Sequence, residues 1–306
     1  TLHRRGTVVF AASVHEGSPT LVDRLDHERI DRDLFRGFSP DHGLPRVFGG
    51  LVAAQALVAA VRTTDGSRPV HSLHAYFLRP GNPKLPIIYD VDRIRDGFSF
   101  TTRRVVAVQD GEAIFNMSAS FQTNEPGHDH HRPMPPVPPP ESIPSNQARR
   151  QRSDHPQLHR FHALMDRFEW PIEHREPDPM DVAAPEPKPG PRQVWFRSEE
   201  PLPDDPLFHQ CVLAYASDFG LLQSSLRQHG LTFMTPNLKV ASLDHAAWFH
   251  RPFRADEWLL YDLWSPSASG ARGLNFGHVY RQAGTLVASF AQEGLMRVRD
   301  RSDPSP

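Results

Sequence analysis

Residues 72–80 read Ser72-Leu73-His74-Ala75-Tyr76-Phe77-Leu78-Arg79-Pro80, and residues 245–252 read His245-Ala246-Ala247-Trp248-Phe249-His250-Arg251-Pro252. Both are strand-like runs closed by Arg-Pro, a turn signal. Arg79 and Arg251 are 172 residues apart. The same shift of 172 carries Tyr89 in Ile87-Ile88-Tyr89-Asp90-Val91 onto Tyr261 in Leu259-Leu260-Tyr261-Asp262-Leu263, and Ile114 onto Leu286. One shift holding across three separate segments marks a duplicated domain.

Each copy opens with a helix. Gly49 to Val61 is a run of small and apolar residues with almost no polar face, so it must be covered on nearly all sides. Asp205 to about Leu222 is its counterpart, with Pro206 in the first turn. Strands are expected at 70–79, 85–94, 100–109 and 113–122, separated by Pro80-Gly81-Asn82-Pro83, Asp96-Gly97 and Asp110-Gly111. The second set is expected at 237–250, 257–265, 270–281 and 285–297. An apolar helix followed by hairpin-linked strands predicts an α+β fold of two tandem halves, each an antiparallel sheet wrapped around its helix.

Between the copies, residues 126–191 hold 16 of the 31 prolines. Proline lacks a donor and fixes φ, so these segments cannot be core strands or helix interiors. The predicted organisation is an N-terminal half over 18–125, a proline-rich linker over 126–170 and a C-terminal half over 171–300. Within the bridge, Leu158 to Trp170 could form a short helix and Ile172 to Arg175 a first strand.

Composition narrows the classes of function. With 34 basic and 36 acidic residues in 306, no global field attracts nucleic acid or an anionic membrane. The single cysteine, Cys211, permits no internal disulfide, which suits a reducing compartment and equally a disulfide-free secreted protein. The longest apolar run, Gly49 to Val61, falls short of a membrane span. The expectation is a soluble cytoplasmic protein. No Gly-x-Ser-x-Gly elbow, phosphate loop or His-Glu-x-x-His helix is present. A hydrolase on this chain would activate water with a carboxylate or polar constellation.

Asp218 is the most informative residue. It shares a helix face with Cys211, Ala214, Tyr215 and Leu222, an otherwise apolar stripe. A lone buried carboxylate costs several kcal/mol unless it is hydrogen-bonded or protonated, so it is either paired with a neighbour or facing a cleft. Ser242 and Gln292 lie on strands of the same copy. The first copy has Val58 or Ala59 near the position of Asp218 and Ser120 at that of Gln292. Only the second copy therefore carries an acid–amide set, which predicts one working site per pair. His128, His130 and His131 lie in the proline-rich bridge without a fourth ligand at suitable spacing and read as a solvated loop. His74, His245 and His250 read as structural strand residues. Arg79, Arg251 and Arg272 read as salt-bridged strand ends, with phosphate binding the alternative.

These motifs resemble a known family. Val47-Phe48-Gly49-Gly50, His71-Ser72-Leu73-His74-Ala75-Tyr76-Phe77-Leu78-Arg79-Pro80-Gly81 and Arg95-Asp96-Gly97-Phe98-Ser99-Phe100 resemble the first half of acyl-CoA thioesterase II. Ala214-Tyr215-Ala216-Ser217-Asp218, Ser242-Leu243-Asp244-His245-Ala246-Ala247-Trp248-Phe249-His250-Arg251-Pro252 and Gln292-Glu293-Gly294 resemble its second half. The resemblance implies a double hotdog fold that hydrolyses acyl-CoA without a metal or organic cofactor. It implies a site of Asp218, Ser242 and Gln292, with His71 secondary. Gly49 and Gly50 at a helix start are candidates for the oxyanion contact, and Arg272 for substrate binding. A homo-oligomer is expected, without nucleic acid or stable membrane insertion. The alternatives are a non-catalytic acyl-CoA or acyl-carrier binding module and a hotdog dehydratase.

Overall fold

The computed structural model describes residues 19–40, 43–151, 163 and 170–298. The first half comprises α1 (Leu21–Leu25), β1 (Glu28–Asp31), β2 (Leu34–Gly37), α2 (Gly49–Arg62), β3 (Val70–Phe77), β4 (Ile87–Asp96), β5 (Phe100–Gln109) and β6 (Glu112–Gln122). A single turn at Pro140–Ser142 and α3 (Asn146–Gln151) follow. The second half comprises β7 (Ile172–Arg175), β8 (Arg192–Ser198), α4 (Pro206–Ser217), α5 (Gln223–Gln228), β9 (Leu238–Ser242), β10 (Asp244–Phe249), β11 (Leu259–Ser269), β12 (Arg272–Arg281) and β13 (Leu286–Val298).

The strands join one continuous antiparallel sheet in the order β1-β2-β4-β5-β6-β3-β10-β13-β12-β11-β8-β7, with β9 beside β13. The order is symmetric about the β3–β10 seam. At that seam His74 pairs with Ala246, its own counterpart at the shift of 172, and the flanking pairs Ser72–Trp248 and Tyr76–Asp244 exchange under the same operation. The duplication is thus a two-fold axis running through the sheet. Helices α2 and α4 pack together on the inner face. Residues 50–61 of α2 and 207–217 of α4 are all buried, as helices with no polar face require. This is the double hotdog architecture.

Two expectations change. The second helix ends at Ser217 rather than near Leu222, because Gly220 takes a positive φ of 83° and turns the chain into α5. The strand expected over 237–250 breaks at Leu243. There the Leu243 N–H donates to the Glu293 carbonyl while the Leu243 carbonyl accepts from Phe77 N–H of the other half. The proline-rich stretch runs packed along the second half. Met134, Val137 and Ile143 pack against Trp195, Leu260, Tyr280 and Leu286 on the outer sheet face, and Trp195 Nε1 donates to the Pro138 carbonyl at 2.9 Å. Strand β7 lies where Ile172 to Arg175 was predicted, whereas the helix expected over Leu158–Trp170 lies almost wholly outside the described residues.

Candidate active site

Asp218 caps the C-terminus of α4. Its Oδ1 accepts from Ser242 Oγ at 3.2 Å and from Gln292 Nε2 at 2.6 Å. Ser242 ends β9 and Gln292 lies on β13, so one turn and two strands converge on one carboxylate oxygen. The second oxygen faces the other half of the molecule. A Cβ added to Gly49 would lie 2.8 Å from Asp218 Oδ2 and 2.9 Å from the Phe77 ring. One added to Gly50 would lie 2.4 Å from the Tyr215 carbonyl oxygen. The two glycines let the N-terminus of α2 press against the C-terminus of α4.

That contact joins complementary ends. No side chain caps α2, and among the described residues the N–H groups of Gly49 and Gly50 have no hydrogen-bond partner. They carry the positive end of the helix dipole, and Asp218 supplies a negative charge beside it, an arrangement worth about 0.3–1 kcal/mol at exposed sites and more when shielded. The same free donors suit an oxygen that gains charge during a reaction.

Asp218, Ser242 and Gly49 lie on the wall of a cavity of ≈ 1350 Å³. Its apolar lining includes Phe48, Val52, Phe77, Phe115, Trp170 and Phe219. Trp170 and Phe219 are in ring contact at 4.6 Å, and Phe48 packs edge-on to Trp170 at 5.0 Å. Arg46, at the rim, reaches across the halves to donate to the Val240 carbonyl at 2.7 Å. Gln292 is 0% exposed and lies behind Asp218, so it grips the carboxylate without reaching the cavity.

Behind this set lies a residue that the sequence marked only as structural. His245 Nδ1 is 3.3 Å from Gln292 Nε2, and His245 Nε2 is 2.9 Å from Ser217 Oγ. Burial holds His245 below the ordinary histidine pKa, against the opposing pull of the Asp218 charge. Its position was readable in one respect: it alternates with Ala247 and Phe249 on the inward face of β10. A polar side chain on an apolar strand face is the signal.

The remaining candidates lie elsewhere. His71 bonds Ser120 Oγ at 2.8 Å and packs on Phe100, near the opposite end of β3 from Phe77. Arg272 Nε donates to Glu293 Oε1 at 2.9 Å, beside the β11–β12 turn and outside the cavity lining. Arg251 is paired with Asp129 of the proline-rich strap, and Arg79, at the cavity rim, with Glu112. His128, His130 and His131 are exposed. Among the described residues no three His, Cys, Asp or Glu side chains converge as a metal site, and no helix is long and apolar enough to cross a membrane.

Known proteins resemble this chain. The family model for acyl-CoA thioesterase matches residues 162–295, and that for the acyl-CoA thioesterase N-terminal domain matches residues 39–122. Acyl-CoA thioesterase 2 of Haemophilus influenzae is 39% identical over 281 residues, covering 90% of this chain and 96% of its own. The chain belongs to the acyl-CoA thioesterase II family. Another relative of this thioesterase, acyl-coenzyme A thioesterase 8 of Homo sapiens, is 41% identical over 292 residues, covering 92% of this chain and 90% of its own. The crystal structure of the acyl-CoA thioesterase II TesB2 from Mycobacterium marinum superposes on this thioesterase with a TM-score of 0.74 at 47% identity, covering 91% of this chain and 98% of that one. A hot dog fold protein from Alicyclobacillus acidocaldarius, 20% identical, shares the fold with a TM-score of 0.73, over 91% of this chain and 98% of its own.

Proposed function

We propose that this thioesterase hydrolyses acyl-CoA to a free fatty acid and coenzyme A with Asp218 as the general base. The reading rests on one observation: Asp218 Oδ1 is held by Ser242 and Gln292 while Oδ2 faces the open N-terminus of α2 on a cavity wall. A water on this wall would lose a proton to Asp218 as its oxygen bonds to the thioester carbonyl carbon. Ser242 orients that water and Gln292 fixes the carboxylate from behind. Charge developing on the carbonyl oxygen would meet the Gly49 and Gly50 N–H groups. Collapse of the adduct breaks the C–S bond, and the thiolate of coenzyme A leaves and takes up a proton. Ser242 is not read as a nucleophile, because His245, the nearby base, is committed to Ser217 and Gln292.

The ≈ 1350 Å³ cavity exceeds the usual small-ligand pocket of about 300–1,000 Å³ and suits a long, jointed substrate with an apolar chain. Cys211 is buried and unpaired, and its thiol is pushed up by burial, which fits a reducing compartment; we place the enzyme in the cytoplasm. Tyr76, Ile94 and Phe98 are exposed on the first half, and we read that half as a contact surface of a homo-oligomer. The organisation into halves of 18–125 and 171–300 around a 126–170 linker is proposed on the same footing. The test is Asp218→Asn, which keeps shape and removes charge. Loss of a general base costs about 10²- to 10⁴-fold, so thiol release from a long-chain acyl-CoA should fall into that range. Turnover within about twofold of wild type would sink the mechanism.

A further inference from the structure

The protons of the network behind Asp218 can be placed one after another. Ser217 Oγ donates to the Ala214 carbonyl at 3.0 Å, so its remaining contact with His245 Nε2 must be one it accepts. His245 therefore carries its proton on Nε2 and presents a bare Nδ1. The two amide hydrogens of Gln292 then have two acceptors, His245 Nδ1 at 3.3 Å and Asp218 Oδ1 at 2.6 Å. Gln292 Oε1 is left buried with no partner. A buried amide with one orphaned end has no internal reason to prefer this orientation. Asp218 and His245 together impose it.

We propose that His245 is a positioning residue of the thioesterase: its neutral Nδ1 accepts from Gln292 and holds the amide with its N–H side turned to Asp218. The inference rests on the reading of Asp218 as the base and deepens it. A proton on Nδ1 would set N–H against N–H. The amide would turn over, and Oε1 would face Asp218 Oδ1. The carboxylate would lose its shortest donor and gain a repulsive neighbour. His245 is thus an acid-side switch on catalysis that touches no substrate.

Among the described residues, few groups face His245. From α4 and its cap come Ser217 and Asp218; from β13, Gln292 and the Phe290 ring, 5.7 Å away. From β3 comes Ala75 by register, and on β11 the Tyr261 hydroxyl donates to the Ser217 carbonyl at 3.2 Å. Asp218 is the charge that acts on the ring, and it opposes the downward pull of burial. The switch therefore works on the acid side of the ordinary histidine range, and the imidazole is neutral at pH 7.

Two variants test this. His245→Leu keeps bulk and removes the acceptor; His245→Asn places an amide oxygen near the former Nδ1 and cannot titrate. In His245→Leu, kcat for acyl-CoA should fall by about 10- to 100-fold, as when a group that orients a catalytic ligand is lost, with KM within about twofold. His245→Asn should recover most of the lost kcat and lose the part of the acid limb of the kcat–pH profile that His245 supplies. Rates are normalised to the folded fraction from circular dichroism at each pH. Wild-type kcat in His245→Leu would overturn the proposal, as would equal losses in both variants or an acid limb unchanged in His245→Asn. Asp218→Asn, run beside them, separates the two readings. If it stays active the general-base assignment fails; if it is inactive while His245→Leu is active, only the positioning role fails.

Discussion

The two halves carry the same strands on the same sheet, yet one carries the proposed site and the other has the matching helix end sealed. Strand positions differ by 172 residues, from Tyr89 to Tyr261, whereas the helix starts Gly49 and Pro206 differ by 157. The second half thus has 15 more residues between its helix start and its strands. They lie within residues 218–242, which make the turn at Asp218, α5 and β9 and hold Asp218 and Ser242. In the first half α2 runs to Arg62, and Thr63 ends it by donating its Oγ1 proton to the Ala60 carbonyl at 2.8 Å. Arg103, 1% exposed, seals that end through Thr63 and Asp96. Its counterpart at the shift of 172 is Asn275, whose Oδ1 accepts from Ser225 N–H at 2.9 Å and anchors α5. One strand position closes a helix end in one copy and ties down the inserted segment in the other. The two copies of one fold thus differ in the length of a single connection, and the proposed site lies on the longer one.

The sharpest way to break this contrast is to copy the first half into the second. Gln292→Ser installs the residue found at Ser120, removing the 2.6 Å donor to Asp218. Loss of one such positioned donor costs about 10²- to 10³-fold in kcat. Steady-state thiol release should show this with little change in melting temperature. The reverse copy, Arg103→Asn, should act on stability alone. It strips hydrogen bonds from Thr63 and Asp96, and a bond to a charged group is worth about 1.5–3 kcal/mol. Urea unfolding should register that loss, while kcat/KM per folded molecule stays at the wild-type value.

A smaller contrast concerns acid. His27 in the first half is buried with both ring nitrogens unpartnered, and burial first, then Arg62, holds its pKa well below the ordinary value. His174 in the second half is held at about 3, by burial first and then Arg192. In both, the folded state stays neutral while the unfolded chain takes up a proton near pH 6.5, so the folded state binds fewer protons than the unfolded one. Stability should be full above about pH 6.5 and fall as the pH drops toward 3, by up to about 1.4 kcal/mol per pH unit for each histidine. His27→Phe should remove one such share of the slope in urea midpoints measured from pH 7 to 5. An unchanged slope would mean that the ring is not neutral in the folded protein.

The duplication was legible because its strands are long and patterned. Asp218 stood out because a carboxylate on an apolar stripe is rare, even though the helix ends one residue before it. Other features left weaker marks. Strands β1 and β2, Glu-Arg-Ile-Asp and Leu-Phe-Arg-Gly, are four residues each and show no period. The break at Leu243 depends on Phe77 of the other half, which no local pattern encodes. His245 looked structural because its partners, Ser217 and Gln292, are brought to it by folding alone. The proline-rich stretch gave its lack of core structure correctly, but its contacts with Trp195 and Tyr280 come from the outer sheet face.

The seam at Ser72–Trp248, His74–Ala246 and Tyr76–Asp244 constrains how the two halves can move. A clamshell enzyme opens by swinging its lobes about a hinge, but here the lobes are stitched edge to edge through their central strands. Parting them would cost backbone hydrogen bonds at every turnover. On the proposed reading, admission and release fall to side chains that line the chamber, such as Arg46 and Phe219, while the seam holds the two halves together.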